Sequence, residues 1–437
     1  MPTLPCPPEV LAIVLDFVVR GDKVRGSRDM IKKCSVVSRL WCSLSRPHIF
    51  REIQIALTKD DTREWAARCK KSPHFALLIT HVTLTDSDTW SDRSWGVEDA
   101  EELGRELISV QSLTLRWVSE IEDLAPHTAF LKQLGSAAGG VQSVRLRAVE
   151  FVEPGDLLLY LSSIPGAPVN LSLTSTGASD AETDMYRDNG PLAVNHPQLT
   201  LPHTAWPLRS LVLHHTELRR DVLSFLLSSA IDLSGLRSLV ITQNSSDEIS
   251  PSAMPLFEQF SVSVGSSLQL LTLDSHNNEV IEFPVSHLRD HLRELRQLTL
   301  ISRREESELD FASGLYQLLA MLPGLQAHQA IEEIVLAVDS EIGHFSVSQW
   351  EILDRELDAA IISIPTFRRF TVHVEISSTF SGGDDRPEAK WFELAANDIR
   401  KAMPRLLARK LLVVRDGPFE SGFRFESLYE DWLFGHG

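Results

Sequence analysis

From Phe75 onward a short pattern recurs in which two aliphatic residues flank one variable position, usually after a polar or basic residue. It stands at Val82-Thr83-Leu84, Leu113-Thr114-Leu115, Val144-Arg145-Leu146, Leu171-Ser172-Leu173, Leu211-Val212-Leu213, Leu239-Val240-Ile241, Leu271-Thr272-Leu273, Leu298-Thr299-Leu300, Ile334-Val335-Leu336, Phe370-Thr371-Val372 and Leu411-Leu412-Val413, with successive last residues 27 to 41 positions apart. Period-two spacing predicts a strand at each site. Between them, helical spacing predicts helices over residues 97–110, 218–231, 285–295, 315–322, 350–362 and 391–407. Proline or glycine often follows, as at Gly235, Pro323, Gly324 and Pro365, which fits helix termination.

Strands that alternate with helices every thirty residues or so predict parallel pairing, because a parallel connection needs a crossover of about a dozen residues or more. Such a chain either folds into a doubly wound sheet with helices on both faces or stacks its strands with helices outside only. Doubly wound strands are buried on both faces and read as continuous apolar runs. Here the middle residue is Thr, Arg or Ser in seven of the eleven occurrences, so one wet face is expected and the one-sided stack is favoured. An enzyme on a doubly wound sheet is the reading set aside.

The first fifty residues follow a different rule. A helix predicted over residues 8–19 carries Val10, Leu11, Ile13, Val14, Leu15, Phe17, Val18 and Val19, which leaves almost no polar face, and such a helix must be covered all round. The next apolar series, Met30, Cys34, Val37, Trp41 and Leu44, makes one stripe on a predicted second helix and can cover one face only. The remaining face is expected to meet the domain behind it or another protein. Covering each such side chain would stabilise by roughly 1.5 to 3 kcal/mol before association costs.

Composition adds boundaries. The chain has 437 residues, 43% apolar and 23% charged, the usual balance of a globular protein with a sizeable core. There is no run of 18 apolar residues and no charged region leading into a signal-like stretch, so the expected location is cytoplasmic or nuclear, with no membrane partner. The four cysteines, Cys6, Cys34, Cys42 and Cys69, have no framework or metal spacing and read as small apolar groups. Residues 1–57 hold 9 lysines and arginines against 5 acids, which leaves 33 against 55 beyond. That acidic remainder argues against a nucleic-acid partner, since phosphates are met by cationic patches.

Three spaced segments of the opening carry a resemblance. Pro7-Pro8-Glu9-Val10-Leu11-Ala12-Ile13-Val14-Leu15, then Cys34-Ser35-Val36-Val37-Ser38-Arg39-Leu40-Trp41, then Arg46-Pro47-His48-Ile49-Phe50-Arg51, resemble an F-box. The resemblance implies docking on the Skp adaptor, and through it a cullin, in a Skp-cullin-F-box ubiquitin ligase. Matching positions put Pro7, Pro8, Val10, Leu11, Val14, Val36, Val37, Leu40 and Trp41 on the adaptor-binding surface. Farther on, residues 208–213, 236–241 and 295–300, reading Leu-Arg-Ser-Leu-Val-Leu, Leu-Arg-Ser-Leu-Val-Ile and Leu-Arg-Gln-Leu-Thr-Leu, resemble the strand segment of leucine-rich repeats. The turn asparagine of that family stands plainly only at Asn244, with Val118, Val149, His276 and Arg303 at the corresponding places elsewhere.

The expected fold is therefore α/β. A small all-helical F-box-like module over residues 1–55 and a linker helix over 56–74 precede an irregular leucine-rich-repeat-like solenoid of parallel strands with outer helices over 75–437, closed by an aromatic C-terminal cap. The expected function is recruitment of an unknown protein substrate, without catalysis, metal or cofactor. Strand positions pointing away from the core, Arg116, Arg145, Arg147, His214, Thr242 and Asp274, are the candidate substrate-binding residues. The alternative is a non-catalytic repeat scaffold whose N-terminal helices only cap the solenoid. His287 and His291 stand four apart on a predicted helix but have no third ligand, and read as a solvated face. No phosphate-cradling glycine loop or nucleophile elbow is present.

Overall fold

Along the strands between residues 52 and 151 burial alternates as period two requires, and the alternation stacks in register from each strand to the next. The computed structural model describes residues 11, 14–15, 26–86, 95–121, 123–134, 140–151, 154–178, 205–214, 220–243, 254–275, 291–302, 330–340, 347–376 and 388–416. They form two compact units, residues 1–208 with 224–232, and residues 209–223 with 233–437.

The first unit pairs β1 (Glu52–Ala56), β2 (His81–Thr85), β3 (Ser112–Ile121), β4 (Ser143–Phe151) and β5 (Asn170–Ala178), each parallel to the next in sequence. Ile53, Val82, Leu113, Val144 and Leu171 make one buried row, and Ile55, Leu84, Leu115, Leu146 and Leu173 a second. The helices Lys59–Lys71, Val97–Glu106, Leu124–Gln133 and Pro154–Ser162 pack side by side in chain order. Close approach of the middle two depends on Gly104, where an added Cβ would stand 2.5 Å from the Phe130 carbonyl oxygen.

In the second unit β6 (Ser210–His214), β7 (Ser238–Gln243), β8 (Leu270–Ser275), β9 (Gln297–Ser302), β10 (Glu333–Ser340), β11 (Arg369–Ile376) and β12 (Leu412–Asp416) also pair in parallel in chain order. One row runs Leu211, Leu239, Leu271, Leu298, Ile334, Phe370, Leu412 and the next Leu213, Ile241, Leu273, Leu300, Leu336, Val372, Val414. The last strand is displaced by one residue from the predicted motif, so Leu412 and Val414 take the places expected for Leu411 and Val413. Carboxylates tie neighbouring strands: Glu332 lies 3.9 Å from Arg296 and 3.7 Å from Arg368, while Glu333 accepts both Arg369 Nε and Nη2, at 2.6 and 2.7 Å.

The protein is thus α/β with parallel sheet, and among the described strands of the large sheet the order does not reverse within either unit. Three more expectations change. The sheet begins at Glu52, inside the stretch assigned to the helical module. The predicted 350–362 and 391–407 helices are Val347–Ile361, and Glu388–Ala402 followed by Pro404–Ala408, the break falling at Met403-Pro404 where proline cannot continue a helix. In the second unit the variable middle row, Val212, Val240, Thr272, Thr299, Val335 and Thr371, is buried, not wet. Threonine misleads there because its methyl packs as a valine's does. The predicted 285–295 and 315–322 helices and the aromatic C-terminal segment lie outside the described residues, apart from residues 291–295.

Candidate functional site

The N-terminal segment is built from two short helices, Gly26–Ser35 and Arg39–Phe50, packed against each other. Sequence periodicity runs one apolar stripe through Met30, Cys34, Val37 and Trp41, but the chain turns at Val36-Val37, whose amides donate to Lys33 and Cys34 carbonyls at 3.3 and 3.1 Å. Ser38 then adopts an extended conformation and its hydroxyl accepts from the Trp41 amide at 3.3 Å, starting the second helix. A serine N-cap at this point overrides the helical period.

The consequence is an apolar turn left in solvent. Val36 is 84% exposed, Val37 68% and Leu40 40%, and in the preceding helical stretch Val14 is 44% exposed while Leu15 is fully buried. Leu11 is helical and half-buried, and Trp41 is half-buried. Pro7, Pro8 and Val10 lie outside the described residues. At its far end the helix Arg39–Phe50 is anchored to the body of its unit, with Phe50 edge-on to Phe75 at 5.0 Å and Phe75 stacked on Trp65 at 6.2 Å.

A second surface lies on the polar side of the first unit's sheet. Over the paired positions, Glu52, His81, Ser112, Ser143 and Asn170 form one row, Gln54, Thr83, Thr114, Arg145 and Ser172 the next, and Ala56, Thr85, Arg116, Arg147 and Thr174 the third. Arg145 is exposed; Arg116 and Arg147 are half-buried. Trp117 and Ala148 follow on neighbouring strands with φ of 55° and 50°. These left-handed residues add one outward position between Leu115 and Val118, and between Leu146 and Val149, so that both valines return to the buried face. The sequence signal is Leu-x-Leu-x-x-Val, present in both strands as Leu113 to Val118 and, with valine first, Val144 to Val149. The Trp117 ring lies beside two guanidiniums, Arg116 at 5.5 Å and Arg147 at 6.0 Å, a cation–π arrangement.

His81 shares this face. Burial lowers its pKa, the nearby Arg51 and Arg145 lower it further, and Glu52 acts in the opposite sense. His81 Nδ1 lies 2.8 Å from the Thr80 hydroxyl. Of the candidates in the second unit, Thr242 is 1% exposed with its hydroxyl unpartnered. The backbones of His214 and Asp274 pair with Thr242 on either side; their side chains lie outside the described residues.

Among the described residues no three His, Cys, Asp or Glu side chains are grouped as metal ligands, and no helix is long and apolar enough to cross a membrane. His287 lies outside them. Among the described residues the strand order of the large sheet does not reverse within either unit, so those strands form no switch-point crevice, the usual ligand site of open α/β sheets. No protein-family model and no curated protein sequence matches this chain.

Proposed function

We propose that this protein is a substrate-recruiting adaptor subunit of a Skp-cullin-F-box ubiquitin ligase, with an F-box-like N-terminal segment and a leucine-rich-repeat-like solenoid. The observation that carries the reading is the solvent exposure of Val36, Val37 and Leu40, at positions that the F-box resemblance assigns to the adaptor surface. Three aliphatic side chains within five residues of chain are costly to leave in water, and contiguous exposed apolar groups mark interaction surfaces. The in-order parallel pairing of strands supports the repeat half of the proposal, because stacked repeats contact only their neighbours.

The scaffold alternative draws on a different observation. Leu15 and Ile31 are buried by the chain itself, as a capping role demands of an inward face. Capping gives no use to Val36 and Val37. Co-purification of the full chain with the Skp adaptor tests the choice: the wild type should capture the adaptor, and the double substitution Val36→Asp with Val37→Asp should lose it. Equal capture by both proteins, or none by either, would overturn the adaptor role.

A further inference from the structure

The exposed apolar turn stands in a stretch of chain that holds no carboxylate. Between Asp29 and Glu52 the sequence carries Lys32, Lys33, Arg39, Arg46 and Arg51 and no acid, in a protein with 42 lysines and arginines against 60 acids. Residues 1–25 do not offset this, since Glu9, Asp16 and Asp22 there are matched by Arg20, Lys23 and Arg25, and Asp29 is matched by Arg28. Lys32 interacts elsewhere within the chain, and Arg51 stands beside Glu52 and His81; both are set aside. Lys33, Arg39 and Arg46 are exposed and pair with no carboxylate among the described residues. On the helix Lys59–Lys71, the acids Asp60, Asp61 and Glu64 are already engaged: Asp61 accepts the Ala56 amide, Glu64 pairs with Arg68, and Asp60 has its own interaction within the chain.

The helix Arg39–Phe50 sets these charges beside apolar groups. Its exposed residues are Arg39, Leu40, Ser43, Arg46 and Pro47. At about 100° per residue they share one arc, with Arg39 and Arg46 at one edge and Leu40 and Pro47 at the other. Val36 and Val37 precede that arc in the turn, and Lys33 closes the helix before it. Arg39 also occupies the first turn of its helix, which carries no acid, although that end of a helix favours negative charge. A cation kept where its own helix disfavours it, beside aliphatic side chains kept in water, makes a surface suited to an outside partner of opposite charge.

We infer that the partner docking on this turn offers an apolar groove rimmed with carboxylates: Val36, Val37 and Leu40 enter the groove, and Lys33, Arg39 and Arg46 meet the rim. The inference rests on the adaptor reading proposed above and names the chemistry of the adaptor's contact surface. Buried aliphatic contacts hold a complex together, whereas rim charges chiefly speed association and fix orientation. The two sets of side chains therefore separate in kinetics. Beyond residue 57 the chain carries 33 lysines and arginines against 55 acids, which repels an acid-rimmed partner and steers its encounter to the amino-terminal end.

The test uses the full chain immobilised on a biosensor and purified Skp adaptor, with association and dissociation rates measured between about 50 mM and about 500 mM salt. Wild-type association should slow on the order of tenfold or more over that range, while dissociation changes by less than about threefold. Arg39→Glu with Arg46→Glu should slow association on the order of tenfold at the low-salt end and leave dissociation near the wild-type rate. Val36→Asp alone should instead speed dissociation. Arg209→Glu with Arg237→Glu makes the same change of net charge at two exposed positions of the other unit and should leave association within about twofold. Because an acid suits the first turn of a helix, the melting temperature of the Arg39→Glu with Arg46→Glu variant should not fall; Arg39→Gln with Arg46→Gln, which removes charge without reversing it, should slow association by a smaller factor. Salt-independent association of the wild type, or equal slowing by the two arginine-to-glutamate pairs, overturns this inference and leaves the adaptor reading standing. Absence of binding at every salt concentration overturns the adaptor reading and this inference with it.

Discussion

Asp354 caps a helix that begins at Pro404: its Oδ1 accepts the Leu406 amide at 3.0 Å, and its Oδ2 accepts the Arg405 amide at the same distance. The helix's own N-cap residue, Met403, has no capping side chain, so a carboxylate from the helix Val347–Ile361 supplies what the local sequence lacks. Asp354 is itself buried. Its position was not legible as a cap, because capping signals are read within a few residues and this one comes from some fifty positions earlier.

Asp354→Ala should therefore destabilise the second unit by about 2 kcal/mol or more, the cost of stripping two amides of a buried acceptor. Urea denaturation of the variant, followed by far-UV circular dichroism, checks this. Asp354→Asn should recover part of the loss, since an amide oxygen still accepts one N–H.

Gly104→Ala should destabilise although alanine is the better helix former by about 1 kcal/mol. The new Cβ would meet the backbone carbonyl of Phe130, which cannot rotate away as a side chain does, so the two helices must part at about 1 to 3 kcal/mol. A higher melting temperature in the variant would show that helical propensity wins.

His127 should make the fold acid-sensitive. Its ring is buried edge-on to Trp95 at 5.2 Å, with Tyr160 at 6.1 Å, and burial pulls its pKa down to about 4 against the weaker opposing pull of Asp123. The unfolded chain takes up its proton near pH 6.5 and the folded chain only near 4. Stability should thus be full above pH 6.5, fall as pH drops through that window, and level off below it, with a total loss of up to about 3 kcal/mol. His127→Leu should flatten the slope between pH 6.5 and 4 in urea midpoints measured across the range.

Cys69 should resist alkylation in the native protein. It is fully buried, and burial, reinforced by Glu106, pushes its thiol up to about 11, so almost no thiolate forms near neutral pH. Mass spectrometry after brief iodoacetamide treatment should find Cys69 unmodified and Cys34 and Cys42, both half-buried, modified faster.

Val36→Asp with Val37→Asp should leave stability within about 0.5 kcal/mol of the wild type, because exposed positions tolerate charge. A thermal melt of the variant used for adaptor capture checks this. A large drop would mean that the turn is packed in solution.

Ten of the eleven aliphatic pairs found in the sequence fall whole in a strand, the last being displaced by one residue, because the inward face of each strand is covered and its period survives in the chain. The strand Glu52–Ala56 carries the same Ile53-Gln54-Ile55 pattern but follows directly on a helix, and went unseen beside it. The break at Ser38 was hidden by a helical period that happens to continue across a turn. On the candidate surfaces, the exposure of Val36 and Val37 follows from that hidden turn. Arg145 is exposed, as outward alternation predicts, whereas the same rule places Thr242 outward and it is buried. Trp117 was missed altogether: its place beside Arg116 and Arg147 depends on a left-handed backbone step that only the three-residue gap between Leu115 and Val118 betrays.

Among the described residues each strand β1 to β5, and likewise β6 to β12, pairs in the large sheet of its unit only with the strands before and after it in that series. The array therefore has the logic of a ladder whose rungs are interchangeable: duplication or deletion of one strand with its following helix would leave every other pairing as it stands. A lineage could lengthen or shorten such a sheet in steps of one rung.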